Sequence, residues 1–322
     1  MAGRSGPRGA HADETAAADR ELLATKDVAA RLAAELGRWA KERSDEHFAG
    51  GGSLDVASKS SPGDFVTSVD IAVQERLVSA LTAAFPGYGL LGEEAGLSDV
   101  DTDEPVWVID PIDGTHNFLR NYPGFCVSIG LVHAGLSVLG AIYESASDTV
   151  TWAVTGSGTW REPAAAVLSR EGRGEHGPSA DATRVAVSSR DRLETALLTA
   201  GFTNAAANDP ATMAVFGDLL RNAAGLRVSG SACRDMTLVA SGRVDVFFQH
   251  GVRPWDVAAG AALVEGAGGR VHLELSGPDI TRSGPLNVFA GVPAVLDEVL
   301  ARRLKVLEAR GEAASIPGLN PL

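Results

Sequence analysis

The chain has 322 residues, of which 45% are hydrophobic and 21% are charged, enough for a sizeable core in two domains or in one large layered unit. Its 41 acidic and 28 basic residues give a formal net charge of −13. Because the basic residues are scattered and form no stripe, a nucleic-acid partner is not expected. The two cysteines, Cys126 and Cys233, indicate buried free thiols in a reducing cytoplasm rather than a disulfide framework.

The sequence also lacks the apolar segments that secretion or membrane insertion requires. The N-terminal residues contain no apolar core of a signal peptide. The longest central stretch without Asp, Glu, Lys or Arg, Tyr122–Tyr143, is broken by Gly, by Ser and by a His-Ala-Gly turn, whereas a membrane span needs ~20 predominantly apolar residues. We therefore expect a soluble, cytoplasmic protein with no membrane partner.

The first half of the chain alternates amphipathic helices with apolar strands. Residues 1–20 are small and polar, which predicts a disordered tail. Apolar residues recur every three or four positions from Glu21 to Arg43 and from Ile71 to Phe85, which predicts two helices, the second ended by Pro86-Gly87. Apolar β-forming runs predict strands at Val106–Ile109, Cys126–Val132, Leu136–Tyr143 and Thr149–Val154.

The second half begins after a stretch at Gly156–Thr183 that has no periodicity and is predicted to be a loop. Helices are then predicted at Arg192–Thr199, Met213–Ala224, Ser231–Ser241, Val257–Ala267 and Pro293–Arg310. Strands are predicted at Arg184–Val187, Leu226–Val228, Val244–Phe248 and Arg270–Leu275. This alternation predicts an α/β fold in layers, with residues 21–185 and 186–312 as two subdomains and residues 313–322 as a C-terminal tail.

The strongest local signal is the segment Asp110-Pro111-Ile112-Asp113-Gly114-Thr115, which follows a predicted buried strand. Ligands of α/β sheets bind beyond the carboxyl ends of strands, where these two carboxylates lie. Gly114 removes a side chain where backbone could approach a ligand, and residues 115–118 could open a helix whose free amides attract phosphate. The alternative is an Asx-type turn in which both carboxylates accept local backbone hydrogen bonds.

Three further acidic positions carry weaker signals, each with a structural alternative. Gly92-Glu93-Glu94 follows the apolar pair Leu90-Leu91, although adjacent glutamates are usually solvated. Asp70 could cap the helix that follows it, and Asp256 could cap the helix that begins at Val257. None of these signals is decisive alone.

Together the motifs resemble the inositol monophosphatase-like family of lithium-sensitive, metal-dependent phosphatases, from about Ala24 to Glu308. The family signature W-x-I-D-P-[IV]-D-G-T-x-N-F is matched by Trp107–Phe118, and its Gly-Glu-Glu element by residues 92–94. The second signature is matched by Trp255–Gly260 and then by Glu265–Gly269, with one extra glycine. This two-part match identifies Asp110 and Asp113 as site residues and implies the sugar-phosphatase fold, with alternating αβαβα layers in two subdomains.

The resemblance also implies a metal site. Glu93, Asp110 and the Ile112 carbonyl would hold a first metal. Asp110, Asp113 and Asp256 would hold a second, and Glu93 would carry a third through water. All these ligands are hard oxygens, so the resemblance implies Mg²⁺, with Mn²⁺ as a substitute, rather than zinc.

The remaining catalytic roles follow from the same resemblance. Asp70 and Thr115 would orient the attacking water beside Glu93, and the amides of Gly114 and Thr115 would bind phosphate oxygens. Lys59 lies in the loop that this family folds over the site. Carboxylates gathered in this way repel one another by roughly 4 kcal/mol per pair at 4 Å, for an effective dielectric near 20. They therefore require cations, and two cations about 3.5–4 Å apart clamp the attacking and leaving oxygens of a phosphoryl displacement.

The substrate contacts are less constrained by the motifs. By resemblance, Gly230-Ser231-Ala232 and Asp256 lie against the polyol and its phosphate, although residues 230–232 could instead be a simple helix start. Gln249 replaces the glutamate that many inositol phosphatases of the family carry at the matching place, and an amide cannot pair with an amine as a carboxylate can. The segment 162–182 is longer than the short hairpin usual there.

The expected function is hydrolysis of a small phosphate monoester, an inositol monophosphate above all, by a homodimeric enzyme. Histidinol phosphate, fructose 1,6-bisphosphate and 3′-phosphoadenosine 5′-phosphate are the alternative substrates within the family. A hypothesis from another class is a non-catalytic protein that retains the metal fold as a regulatory module.

Overall fold

Two β-sheets alternate with three layers of helices in the part of the chain that the computed structural model describes. This part comprises residues 8–50, 55–58, 65–94, 104–170 and 176–312, with side chains from residue 20 onward. The layers follow the order helix, sheet, helix, sheet, helix. The α/β class and the αβαβα architecture expected from the sequence are therefore confirmed.

The first sheet carries the segment with Asp110 and Asp113. Among the described residues its strands are, in spatial order, β3 (Gly89–Gly92), β4 (Val106–Asp113), β5 (Cys126–His133), β6 (Leu136–Glu144), β7 (Thr149–Val154), β8 (Gly158–Pro163) and β9 (Thr183–Val185). The strands β3 and β4 are parallel, and the other neighbours are antiparallel. A short antiparallel pair, β1 (Val56–Ser58) and β2 (Phe65–Thr67), is separate from this sheet.

The second sheet carries the strand that leads to Asp256. Its described strands are, in spatial order, β11 (Gly225–Arg227), β10 (Leu197–Phe202), β12 (Val246–Val252), β14 (Leu286–Gly291) and β13 (Arg270–Glu274). The first three are parallel, and β14 is antiparallel to both of its neighbours. The pairing of β12 with β14 shifts register between Gln249 and Val252, so the end of β12 is irregular.

Helices fill the three remaining layers. In chain order they are α1 (Arg8–Phe48), α2 (Ser68–Ala84), α3 (Thr115–Leu119), α4 (Ala164–Leu168), α5 (Asn204–Ala207), α6 (Pro210–Asn222), α7 (Ala232–Ala240), α8 (Pro254–Gly266) and α9 (Pro293–Ala309). The helices α1 and α2 cover the outer face of the first sheet, α7 and α8 lie between the sheets, and α6 and α9 cover the outer face of the second sheet. No helix among the described residues has the length and apolarity that a membrane crossing requires.

Strand β4 is buried on both faces, as its continuous apolar run predicted. Trp107 and Ile109 belong to the core beneath α1 and α2, whereas Val106 and Val108 belong to the core around α7 and α8. The same alternation separates Phe247 and Phe248 on β12, because Phe247 faces α7 and α8 and Phe248 faces α6 and α9. Side chains on successive residues of a strand point to opposite faces, so each sheet packs against helices on both of its faces.

Two glycines allow α8 to lie close to the first sheet. A Cβ atom on Gly140 of β6 would stand 2.2 Å from the carbonyl oxygen of Ala259, and one on Gly130 of β5 would stand 2.8 Å from the Ala259 nitrogen. This approach fixes the depth of α8, whose third residue is Asp256. It thereby brings the start of α8 toward the end of β4.

The segment that was predicted to be a loop is structured in part and is anchored to the first sheet. It forms β8 and α4 instead of continuous loop. The fully buried Glu162 accepts a hydrogen bond from the indole nitrogen of Trp152 at 2.6 Å and from Arg170 at 2.9 Å. The ammonium group of Lys26 on α1 lies 4.0 Å from the centroid of the Trp152 ring. The sequence pattern did not predict these elements, because long-range contacts rather than a local periodicity stabilise them.

Three other predictions were wrong in extent or type. The helix α1 begins at Arg8, so disorder was wrongly predicted from there to residue 20, where an alanine-rich stretch favours helix. Residues 192–199 were predicted to be a helix but form a 3₁₀ turn at Leu193–Thr195 and the start of β10. Strand β14 was not predicted. In the last two cases pairing with neighbouring strands overrides local propensity. The proposed division at residue 185 stays a prediction, and the tail at 313–322 lies outside the described residues.

We expect Gly140→Val to destabilise the fold by at least about 2 kcal/mol, because the new side chain would collide with the backbone of α8. Denaturant unfolding of the variant and of the parent chain measures the difference. Gly87→Ala is the matched control, since nothing lies within 4 Å of a Cβ atom there. Equal unfolding midpoints for Gly140→Val and the parent would show that α8 is not held at this distance.

Candidate metal and phosphate site

Three carboxylates from two layers meet at the end of β4. One oxygen atom from each of Asp110, Asp113 and Asp256 can be chosen so that all lie within 4.8 Å of one another. The pairing of β4 with β5 shifts register between Asp110 and Asp113, and such irregularities change the direction of side chains. Asp256 comes from the first turn of α8, where it accepts a hydrogen bond from the Arg253 amide at 2.7 Å. The structure therefore brings together the predicted ligands of the second metal.

Glu93 joins this cluster from the neighbouring strand. It directly follows β3, which runs parallel to β4, and its side chain hydrogen-bonds with Asp110. The Glu94 amide donates to the side-chain oxygen of Gln74 on α2 at 2.8 Å, which fixes the turn after β3. Parallel strands end at the same edge of a sheet, so Glu93 and Asp110 reach the site from adjacent strands.

Burial gives these acids unusual proton affinities. It is the largest reason that the pKa of Asp110 lies well above its usual range, and the carboxylates of Glu93, Asp113 and Asp256 raise it further. The pKa of Asp256 is raised in the same way, by burial first and by Asp113 second. Burial also raises the pKa of Asp113, although hydrogen bonds from Ser231 and Cys233 oppose the rise. Without cations, the cluster therefore holds protons more tightly than free carboxylates do.

The start of α7 holds Asp113 in place. The Ser231 hydroxyl donates to Asp113 Oδ2 at 2.6 Å, and the Cys233 amide donates to the same oxygen at 2.7 Å. Ser231 also caps α7, because its oxygen accepts from the Arg234 amide at 3.2 Å. Sequence reasoning assigned Ser231 to the polyol; in the structure its hydroxyl proton is directed at Asp113, a predicted metal ligand. The sequence indicated a serine at a predicted helix start, but it could not indicate the hydrogen bond to Asp113, which lies 118 residues away.

Asp70 and Thr115 lie together next to Ile112. The Thr115 hydroxyl lies 3.3 Å from Asp70 Oδ1 and 3.2 Å from the Ile112 carbonyl oxygen. The second oxygen of Asp70 accepts from the Thr67 amide at 3.0 Å and from the Thr67 hydroxyl. Thr67 rather than Asp70 is the N-cap of α2, with Asp70 in the reciprocal position of a capping box. Asp70 therefore takes part in the capping box of α2 and also contacts Thr115.

Two glycines let the turn after Asp113 approach the start of α7. Gly114 has a φ of +93° and Gly230 a φ of +82°, a region that favours glycine. A Cβ atom on Gly114 would lie 3.3 Å from the Gly230 carbonyl oxygen. Asn117, from the first signature, bridges the carbonyl oxygens of Gly124 and Ser229, each at 3.0 Å. This contact joins the first sheet to the layer between the sheets.

The remaining predicted residues are placed less directly. Ala232 is 6% exposed and packs in the core around α7 and α8. Gln249 on β12 lies over Gly201 of β10, where a Cβ atom would stand 1.9 Å from its side-chain oxygen. Lys59 lies outside the described residues. The roles of these three residues in substrate binding stay predictions.

The donor set fits a hard divalent cation. It consists of carboxylate oxygens at the ends of two elements with the Ile112 carbonyl nearby, and no sulfur or imidazole ligand joins the cluster among the described residues. Oxygen-only sites suit magnesium, calcium or manganese rather than zinc. The negative charge of the ionised carboxylates would favour binding of such a cation.

The layered fold and this oxygen-lined acidic cluster define the class of sugar-phosphatase-like α/β proteins. Within that class, the chain belongs to the inositol monophosphatase family, whose model matches residues 23–305.

Named relatives support the same assignment. The chain is 37% identical to the inositol-1-monophosphatase SuhB of Mycobacterium tuberculosis, over 88% of this chain and 94% of the relative. It is 34% identical to the Nus factor SuhB of Salmonella typhimurium, over 76% of this chain and 84% of that protein. The crystal structure of the extragenic suppressor protein suhB from Bartonella henselae matches with a TM-score of 0.72 at 29% identity, covering 87% of this chain and 98% of the other.

Removing the Ser231 hydroxyl should weaken metal binding. We expect Ser231→Ala to lower Mn²⁺ affinity by about 10- to 100-fold, because Asp113 would lose the donor that orients it. Loss of the helix cap should also cost about 1 kcal/mol of stability. Calorimetric titration with Mn²⁺ measures the affinity, and Ser231→Thr, which keeps a hydroxyl, is the matched control. An unchanged Mn²⁺ affinity in Ser231→Ala would contradict this role.

Magnesium should stabilise the fold more at pH 8 than at pH 6. The raised pKa values of Asp110, Asp113 and Asp256 mean that protons stabilise the metal-free folded state at low pH. This stabilisation is lost as the pH rises from the unfolded pKa values through the raised ones. Bound cation replaces the protons, and a 100-fold excess over its dissociation constant adds about 2.7 kcal/mol.

Thermal unfolding with MgCl₂ or with EDTA at each pH measures this effect, with NaCl matching the ionic strength. An equal shift of the unfolding temperature at both pH values would mean that magnesium does not compete with protons in this cluster.

Proposed function

We propose that the chain is a magnesium-dependent phosphatase that hydrolyses a small phosphate monoester, with an inositol monophosphate as its substrate. The observation that carries this proposal is the grouping of Asp110, Asp113 and Asp256 within 4.8 Å, beside the hydrogen-bonded pair of Asp70 and Thr115. Membership of the inositol monophosphatase family supports it independently.

The proposed metal site uses the ligands expected from the sequence. Glu93, Asp110 and the Ile112 carbonyl would hold one magnesium ion, and Asp110, Asp113 and Asp256 a second, with a third at Glu93 through water. When bound, the cations would lower the pKa of a water molecule and stabilise the developing charge on the leaving oxygen. Manganese, which accepts the same oxygen ligands, would substitute for magnesium.

The chain's own residues would then direct the water. The Thr115 hydroxyl is held between Asp70 and the Ile112 carbonyl. In the proposed reaction this pair orients the water molecule and accepts its proton as the water oxygen bonds to phosphorus. The bond between phosphorus and the ester oxygen breaks, and the alcohol leaves with a proton from solvent. The products are the free polyol and inorganic phosphate.

The phosphate and the polyol would occupy neighbouring parts of the site. The amides of Gly114 and Thr115 open α3, where amides have no partner within the helix, and would bind phosphate oxygens. The backbone of Gly230 and Ala232, together with Asp256 and Gln249, would lie toward the polyol. Because Gln249 is neutral, it would hydrogen-bond a hydroxyl but would not pair with an amine, which favours an inositol over histidinol phosphate.

Asp113→Asn should lower kcat/KM for inositol 1-phosphate by about 1000-fold or more, equivalent to about 4 kcal/mol. The change replaces a metal ligand by a neutral amide that keeps the shape of the side chain. Magnesium-dependent release of inorganic phosphate measures the activity, and circular dichroism checks the fold. Asp191→Asn, at an exposed position, is the matched control. Full activity in folded Asp113→Asn would exclude the proposed site.

The substrate itself requires a direct comparison. A panel of inositol 1-phosphate, histidinol phosphate, fructose 1,6-bisphosphate and 3′-phosphoadenosine 5′-phosphate, ranked by kcat/KM with magnesium, separates the members of the family. Preference for one of the other three compounds would support the proposed phosphatase activity but contradict inositol monophosphate as its substrate.

A second candidate function is a non-catalytic regulatory module that keeps the metal fold. One observation favours it, since a relative with 34% identity carries the name Nus factor. The two functions differ in phosphate release: a folded protein that binds magnesium but releases no phosphate from any of the four substrates would favour the module. We further propose a cytoplasmic homodimer, which light scattering of the purified protein tests.

A further inference from the structure

A second polar cavity lies on the outer face of the second sheet. It has a volume of about 340 Å³. Its polar walls are formed by Asp209, Thr212, His250, Glu274, Asn287, Arg303 and Glu312. Phe248, two residues before His250 on β12, packs beneath α6 and α9, so His250 lies on the face of the strand that points away from α7 and α8. The volume is within the range of small-molecule sites.

The inner wall is a fixed hydrogen-bonded network. Arg303 donates two hydrogen bonds to the carboxylate of Glu274, at 2.6 and 2.8 Å, and both residues are about 5% exposed. Asn287 donates to Glu274 at 2.9 Å and accepts from the Gly251 amide at 3.1 Å. A bidentate buried pair of this kind fixes its geometry, so the wall exists before any ligand arrives.

His250 offers its ring nitrogens to the cavity. Its ring contacts Phe289 edge to face, with centroids 5.5 Å apart. Within the described part of the chain, no hydrogen bond occupies either ring nitrogen of this half-buried side chain. Burial lowers the pKa of His250 to about 4, and Arg303 contributes to the shift. The ring is thus neutral at pH 7 and has one donor and one acceptor nitrogen.

The mouth of the cavity is negatively charged. Arg303 neutralises Glu274 and Arg310 pairs with Glu312 at 3.2 Å, whereas Asp209 forms no ion pair among the described residues. Asp209 is the N-cap of α6, and its Oδ2 accepts from the Thr212 amide at 2.8 Å. Its carboxylate remains ionised because these hydrogen bonds lower its pKa. A ligand in the cavity would therefore meet both an ionised carboxylate and a neutral hydrogen-bonding ring.

We propose that this cavity is an effector site for a small molecule that carries a protonated amine and a hydroxyl group. The amine would pair with Asp209, and the hydroxyl would hydrogen-bond with His250. The site is connected to the substrate side by the irregular end of β12. Gln249 and His250 are adjacent there, Gly251 has a φ of +75°, and Asn287 of the cavity wall holds Gly251. The effect on the substrate rests on the proposed function, whereas binding of the amine does not.

Binding is tested with 2-amino-1,3-propanediol on the full chain labelled with ¹³C in its histidine rings. Glycerol is the matched probe, because it replaces the amine by a hydroxyl. The variant His250→Gln identifies the resonance of His250. We expect a saturable shift of this resonance with a dissociation constant on the order of 1 mM, and about fivefold weaker binding of glycerol.

Asp209→Asn should weaken binding of the amino alcohol by about fivefold while keeping the helix cap, since asparagine caps as well as aspartate. Asp181→Asn, at an exposed position outside the lining of the cavity, should leave the affinity unchanged. No saturable shift, equal binding of glycerol, or equal affinity in Asp209→Asn would each overturn the site.

The effector role is tested by hydrolysis of inositol 1-phosphate with and without saturating 2-amino-1,3-propanediol. We expect a change in KM of at least about fivefold, and Asp209→Asn should need about five times more of the amino alcohol to reach half of that change. An active enzyme whose KM does not change would overturn the effector role. A protein without activity would count against the proposed function alone, and the resonance of His250 would still decide the cavity.

Discussion

The rest of the site depends on the cost of holding carboxylates together away from water. Asp110, Asp113 and Asp256 place oxygens within 4.8 Å of one another, and burial makes each ionised form costly. Local donors meet part of that cost: the Ile112 amide bonds to Asp110 at 3.0 Å, the Ser231 hydroxyl to Asp113 at 2.6 Å, and the Arg253 amide to Asp256 at 2.7 Å. These donors fix directions but leave net negative charge, so the proposed divalent cation would complete an arrangement that the polypeptide has already oriented.

That orientation requires the first sheet and the helix layer with α8 to keep a fixed relative position. Asp110 and Asp113 belong to the first sheet, whereas Asp256 belongs to α8 between the sheets. The layers meet through small residues, since side chains larger than hydrogen at Gly130 and Gly140 would collide with α8, and Gly114 approaches Gly230 closely. Packing far from the carboxylates therefore determines the distance between them.

The parts of the structure that depend on local sequence could be predicted, and the parts that depend on distant pairing could not. The buried strand at Val106–Ile109 and the acidic turn after it follow from an apolar run and from two spaced aspartates. By contrast, residues 197–202 contain leucine and alanine that favour a helix, yet they form β10 because β11 and β12 pair on either side. The hydrogen bond from Ser231 to Asp113 could not be predicted for the same reason. The sequence around a helix-capping serine does not show whether an aspartate 118 residues away accepts its proton.

The residues proposed for the site differ in how firmly they are held. The oxygens of Asp70, Asp113 and Asp256 each accept hydrogen bonds from backbone or hydroxyl donors. Gln249 instead rests against Gly201, and among the described residues no hydrogen bond holds its amide. In the proposed function, firmly held carboxylates would keep the charge distribution around a phosphate constant, whereas an amide without hydrogen bonds could adjust to different hydroxyl patterns. If the proposed function holds, family membership would constrain the chemistry at phosphorus more strongly than the identity of the alcohol. Variation at Gln249 would then change substrate preference without loss of the proposed metal site.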